Sequence, residues 1–481
     1  MSKHSESRRN FLRQLSCTLC AGGASAFLPQ LDLISSAAAQ GTVGGYRALV
    51  CVYLAGGNDS WNLVVPYDQA RYDVYRTSRS GVYDANNNAG GLALARPANT
   101  NLNITDAAGS GTYFVHPALT ELRTLYNQGR LAFLPNVGTL VRPITKAEYN
   151  ANASLRPPQL YSHNDQENFW HLGRAAAHNR GWGGLVADRV RGENLYQALS
   201  PCISVGGANR FEMGVQTFPY QMSSSGVSTL SGIGSTGASS QRATALQQML
   251  DAGYVSPYQQ EYATILKRSR ELYGVLNAGL AANAPGDNAF FNTAFNGVTQ
   301  SSLRDQLRMV ARMIRLSRSV GAGVEHKRQI FYVRYGGFDL HDNLITNNGH
   351  QNLLLRVSQA LNGFWNALQA MGAENEVTTF TMSEFARTLS TNGNGSDHGW
   401  GGIQMVMGGQ VQGGRFHGSW PDQALNGPVS FSRGQTIPST SVDQMAATLA
   451  RWMGVTSPSD LQTIFPNLPN FASSDLGFML S

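Results

Sequence analysis

Four short polar stretches hold most of the side chains in this sequence that could do chemistry. The densest lies within residues 377–414, where an apolar run ends in Ser383-Glu384-Phe385 and a polar, Gly-rich loop leads to Asp397-His398-Gly399. A second, within residues 330–350, places Asp339, His341, Asp342 and His350 after another apolar run. The third is Gly56-Gly57-Asn58-Asp59-Ser60, directly behind the run 48–54. The fourth is Tyr161-Ser162-His163-Asn164-Asp165, with Glu167 and His171 on what reads as a helix start. Carboxylate oxygens and imidazole nitrogens converging from separate segments suit divalent cations or acid–base work. Two cations a few ångströms apart orient an attacking and a leaving oxygen together, and a hydroxyl such as Ser162 beside them is a candidate nucleophile.

Each of these residues also has a plain structural use. Asp59 suits a cap on the turn after its strand, and Ser162 suits an N-cap for residues 164–172. His163 and His171 suit partly buried, hydrogen-bonded imidazoles, Asp342 a turn, and His350 the start of a helix. Glu384 and Arg387 are close enough in sequence to pair with each other. A Gly-flanked Asp397-His398 pair has no packing purpose, which makes it the strongest single signal.

The elements that must position these loops alternate. Apolar runs at 48–54, 131–135, 330–335, 377–382 and 403–407 read as strands. Helical spacing appears over 117–128, 185–189, 241–251, 257–277, 301–321, 350–371 and 442–453, the last behind Ser441 as N-cap. This order implies a mostly parallel sheet with helices on both faces, and chemistry in the loops beyond the strand ends. Residues 223–240 are Ser/Gly-rich and read as an exposed insertion near 222–242. GWGG occurs at 181–184 and 399–402, too few copies for a repeat architecture.

Composition narrows the class. The chain has 481 residues, 42% hydrophobic and 14% charged, with 52 glycines of no fixed period, which fits a loop-rich folded protein. Residues 1–39 read as a twin-arginine leader: Ser7-Arg8-Arg9-Asn10-Phe11-Leu12-Arg13, an interrupted apolar run, then Ala37-Ala38-Ala39. That predicts the Tat translocase as a partner in export and a periplasmic or extracellular location. Residues 40–481 read as a single domain without a stable membrane span. Its net charge falls from +6 to +4 on loss of the leader, which does not argue for nucleic acid. Arginines 304, 308, 312, 315 and 318 ring a helix whose apolar stripe is Leu303, Leu307, Val310 and Ile314, predicting a solvated basic face. Cys51 and Cys202 read either as one disulfide or as two separate buried thiols.

LAGGNDSWNLVVP, YSHNDQENFW, GGFDLHDN, SEFARTLSTNGNGSDHGWGG, GGRFHGSWP and TSVDQMAATLARWMG together resemble the bacterial exported family called domain of unknown function 1501. The resemblance spans residues 47–478 and implies relation to the alkaline phosphatase and sulfatase superfamily. It implies a three-layer α/β/α sandwich, alkaline-phosphatase-like, with metals at the C-terminal strand ends. It also implies one or two divalent ions (zinc, calcium or manganese) held by Asp59, Asp339, His341, Asp397 and His398. Glu384 stands as an alternative acidic ligand, Ser162 as nucleophile, and His163 or His417 beside the leaving group. The expectation is a hydrolase of phosphate or sulfate esters acting on a small-molecule or polysaccharide substrate. The alternative is a catalytically degenerate binding or assembly protein. Trp61, Trp170, Trp182, Trp400 and Trp420 could stack on sugar rings, with core packing as their other use. No C-x-P/S-x-R segment is present, so the formylglycine route of ordinary sulfatases is not expected.

Overall fold

A computed structural model describes residues 45–480, apart from 174–178, 197, 229 and 282–286. The leader 1–39 lies outside the described residues. The centre is an eight-stranded sheet. In chain order its strands are β1 (Arg47–Leu54), β2 (Leu131–Gly138), β3 (Cys202–Ser204), β4 (Tyr220–Gln221), β5 (Arg328–Tyr335), β6 (Val377–Met382), β7 (Gly402–Gly408) and β8 (Thr440–Ser441). Across the sheet they stand β8-β2-β7-β6-β1-β5-β3-β4. β1 runs parallel to both neighbours, β5 and β6, and only β7 runs antiparallel to the strands beside it. The α/β architecture expected from the alternating pattern is the one observed.

Strand β1 explains the layering. Its sequence RALVCVYL is apolar after the first residue and buried on both faces, the pattern of a central strand under helices on both sides. Successive side chains point to opposite faces. Ala48, Val50 and Val52 therefore pack with helices α1 (Thr120–Asn127), α5 (Ser302–Arg318) and α6 (Gly349–Ala370). Leu49, Cys51 and Tyr53 pack with α2 (His163–Leu172), α3 (Trp182–Val190), α7 (Val442–Met453) and α8 (Pro458–Ile464). Helix α4 (Pro257–Gly279) lies outside α5 and reaches the first core through Leu272 and Leu276. Helix α7 begins where Ser441 predicted, with a capping box closed by Gln444.

Two expectations change, and the cysteines take the second of their two readings. Helix α5 is not a solvated basic rod: Leu303, Leu307, Val310 and Ile314 are buried as expected, but its arginines are half-buried or buried. The helix lies under α4 and its flanking segments. Its arginine heads therefore reach outward to local acceptors: Arg312 to the Leu280 carbonyl and Arg318 to Glu376. The insertion is mostly exposed, but a helix, Gly237–Asp251, starts inside its last residues. Cys51 and Cys202 are free buried thiols on β1 and β3, which are separated in the sheet by β5. Among the described residues no helix is long and apolar enough to cross a membrane.

The register sets the site. Leu54 pairs with Tyr335, and Tyr53 pairs with Met382. The chain thus leaves β1, β5 and β6 at one edge, into the loops that start at residues 55, 336 and 383. Because β7 is antiparallel, residues 398–401 enter it at the same edge. Parallel neighbours with C-terminal ends side by side open a crevice for chemistry.

Candidate metal centre

Gly56 lets the first two loops meet. Its φ is +117°, and a Cβ there would lie 2.3 Å from the Asp339 backbone nitrogen, so no other residue fits this close approach. Arg387 then ties the loops together. It is fully buried, and its guanidinium donates to the carbonyls of Gly57 (2.8 Å), Gly56 (2.6 Å), Phe338 (3.1 Å) and Ser396 (3.0 Å), and to Asp339 Oδ1. A planar fork of five donors matches this set, and lysine could not.

Above that arginine, His163, Asp339 and His398 converge. Each offers one ligand atom, and these atoms lie within 4.8 Å of one another. The remaining ring nitrogens are fixed from behind. His398 Nδ1 lies 2.7 Å from the Tyr161 carbonyl, which can only accept, so Nδ1 carries the proton. His163 Nδ1 lies 2.8 Å from Glu384 Oε1. When such a ring is neutral with its proton on Nδ1, the lone pair is on Nε2. His163 Nε2 lies 3.5 Å from Asp339 Oδ2, and His398 Nε2 lies 3.4 Å from Asp339 Oδ1. Imidazoles anchored through one nitrogen while the other faces a carboxylate have the arrangement that orients metal ligands.

Helix α2 delivers His163. Ser162 caps it, accepting from the Asp165 amide, and Trp170 donates to the Glu384 carbonyl at 3.0 Å, docking the helix on β6. Phe385 stacks on His398 with ring centroids 4.3 Å apart. His341 completes the rim. Its Nε2 lies 3.1 Å from Asp339 Oδ1 and 2.8 Å from His398 Nε2, and its Nδ1 lies 3.3 Å from Asp397 Oδ1. Two ring lone pairs cannot face each other at 2.8 Å without a proton or cation to share.

The charges are graded. Burial opposes ionisation of Glu384, but the hydrogen bonds from His163 and Gly56 outweigh it and hold its carboxyl below the usual range. That bond to Glu384 raises His163 against its burial. Burial of Asp339 is likewise outweighed by Arg387, so its carboxyl also stays low. Burial, helped by the charges of Arg387, His163 and His341, lowers His398.

The sequence-derived site residues divide accordingly. His163, Asp339, His341 and His398 come together, and Asp397 and Glu384 stand behind them. Asp397-His398 does not act as one pair: Asp397 turns to His341 and Arg433, while His398 turns to Asp339. Glu384 is 2% exposed and reaches the cluster through His163, not directly. Asp59 is not brought to the cluster, because its carboxylate is buried in an ion pair with Arg79. Ser162 Oγ donates to Asp165 Oδ2 at 2.6 Å, within its own helix cap. His417 bonds the Gln412 carbonyl at 2.9 Å, apart from the cluster. His171 and His350 are buried, and burial pushes both down to about 3. Trp61, Trp170, Trp182 and Trp400 are core residues, and Trp420 packs on Tyr113 and Phe416. The first GWGG opens helix α3 in the core. Sequence reasoning missed the Tyr161 carbonyl, the Gly56 amide and the role of Arg387. Only the adjacency of Tyr161 to Ser162-His163 hinted at the first.

Residues 46–459 match the family model described as "Protein of unknown function (DUF1501)". No curated protein matches the chain. Among solved structures, one described as "Crystal structure of Ps i-CgsB in complex with k-i-k-neocarrahexaose" is similar at 9% identity, over 89% of this chain and 77% of that one, with a TM-score of 0.35. The PsFucS1 sulfatase from Pseudoalteromonas sp. is similar at 11% identity, over 89% and 72%, with a TM-score of 0.32.

Proposed function

We propose that this chain, which belongs to the DUF1501 family, is a metal-dependent hydrolase of sulfate or phosphate esters. The observation that carries the reading is the convergence of His163 Nε2, the Asp339 carboxylate and His398 Nε2, with both rings anchored through Nδ1. The donor set fits a divalent cation such as zinc or manganese: two borderline nitrogens, one hard oxygen, and a carboxylate and a carbonyl bonded behind the rings. When bound, the cation supplies Lewis acidity toward the ester oxygens. His163, Asp339 and His398 would hold it.

The chain's own residues do the rest. Arg387 keeps Asp339 ionised and aimed. Asp397 orients His341 through Nδ1, which leaves that half-exposed imidazole placed to pass a proton to the leaving oxygen. The attacking group in this reading is a water, because the Ser162 hydroxyl is committed to Asp165. A twin-arginine leader in residues 7–13, the Tat translocase as transient partner, and a periplasmic or extracellular location belong to the same reading.

Metal content of the purified protein and turnover of chromogenic sulfate and phosphate esters test it. Wild type is expected to carry the cation and turn over at least one ester class. Asp339→Asn and His398→Ala are expected to lose both. A wild-type protein that binds no divalent cation overturns the proposal. The capped Ser162 favours one second reading, a binding protein on the same scaffold, which bound metal without turnover would support.

A further inference from the structure

We infer that the cavity next to the metal centre is a subsite for a saccharide ring bearing an anionic substituent. The inference rests on the ester-hydrolase reading, because it assigns this cavity to the organic part of the ester. A cavity of about 530 Å³ opens over residues that include Tyr149, Arg156, Pro157, Pro158, Gln159 and Tyr161, a volume ordinary for a small-molecule site. Tyr161 joins it to the metal centre. Its carbonyl anchors His398, and its hydroxyl lies 3.3 Å from the Tyr149 hydroxyl at the cavity wall.

The lining selects the ligand chemistry. Among the described residues no carboxylate lines the cavity, which favours neutral or anionic ligands over cationic ones. Arg156 is pre-set: its guanidinium stacks over the Tyr149 ring at 4.1 Å, and its Nε donates to the Tyr149 carbonyl at 2.8 Å. That leaves the planar terminal edge to take two oxygens of a sulfate, phosphate or carboxylate. The exposed Pro158 ring suits the C–H face of a sugar, and the two phenol hydroxyls and the exposed Gln159 amide suit its hydroxyls. Gln159 holds φ = 50°, a left-handed conformation costly for a residue with a side chain, and its carbonyl accepts from Ser162 and Gln166. Such strain often marks a ligand clamp.

Titration calorimetry tests this with three probes: dextran sulfate oligosaccharides, neutral dextran oligosaccharides of the same length, and inorganic sulfate. Wild type is expected to bind the sulfated oligosaccharide at least tenfold more tightly than either of the others. Arg156→Met is expected to lose at least tenfold, with Arg156→Lys in between, while metal content stays at wild-type levels. Equal binding by Arg156→Met, or no binding by a wild type that holds metal and cleaves the small ester, overturns the subsite. Saccharide binding without any turnover leaves the subsite standing and overturns the hydrolase reading instead.

Discussion

Glu384, buried at the end of strand β6, accepts a 2.8 Å hydrogen bond from Nδ1 of His163, the first residue of helix α2. The two residues are 221 positions apart. Glu384 also accepts from the Gly56 amide at 2.8 Å and the Tyr53 hydroxyl at 3.2 Å, so the carboxylate fixes an imidazole, a loop and a core phenol at once. It is the support that sets which nitrogen of His163 faces the crevice.

Glu384→Gln tests that support. A carboxamide of the same shape can still accept but does not charge the bond. Affinity for zinc or manganese is expected to fall about 10–100-fold, the usual cost of losing a partner behind a ligand. Competition with a chromophoric chelator measures it, and unchanged affinity would remove Glu384 from the centre.

Asp59→Asn separates the sequence reading from the structural one. A metal ligand at this position would lose metal on substitution. The structure instead has Asp59 neutralising Arg79 in the core, so metal content is expected to stay at wild-type levels. Stability is expected to fall by about 3–5 kcal/mol, because Arg79 is left as an uncompensated buried charge. Elemental analysis and chemical denaturation of one preparation read both outcomes.

Arg387→Lys keeps the charge but supplies three donors where Arg387 meets five acceptors. Buried carbonyls of Gly56, Gly57 or Ser396 then lose a partner, at about 1–3 kcal/mol each. Lower stability and weaker metal binding are both expected, since Arg387 also aims Asp339. Denaturation midpoints and metal titration check the pair. Lowered stability with intact metal binding would make Arg387 purely structural.

Glu212 gives a pH prediction away from the centre. It is fully buried, and burial pushes its carboxyl up to about 8 from an ordinary 4.5. Between those values the folded state binds the proton that the unfolded state releases, so this group's contribution to stability falls as pH rises from 4.5 to 8. Above 8 the accumulated cost is on the order of 5 kcal/mol. Glu212→Gln removes it. The gain in Tm over wild type is therefore expected to be larger at pH 9 than at pH 5, and an equal gain at both would refute the assignment.

The sequence by itself determined the architecture and picked out most of the side chains that the fold brings together. The run 48–54 is apolar at every position that a doubly covered strand requires, and period and caps are local properties of the chain. Ser441 could therefore be read as an N-cap without a fold. His163, Asp339, His341 and His398 were legible because polar, ionisable residues next to glycine after a buried strand have little else to do. Tertiary structure alone decided which of them meet. Asp59 follows β1 as a ligand should, but Arg79 lies beside it in the fold and claims the carboxylate. Asp397 and His398 are adjacent in sequence yet face different partners, because neighbouring side chains in an extended loop point opposite ways. Glu384 and Arg387, three residues apart, do not pair: one holds His163 and the other holds Asp339. Which donor meets which acceptor depends on distances of a few tenths of an ångström between segments hundreds of residues apart. Those distances are set by strand register and by the close approach at Gly56, and neither is written in any single stretch of the chain.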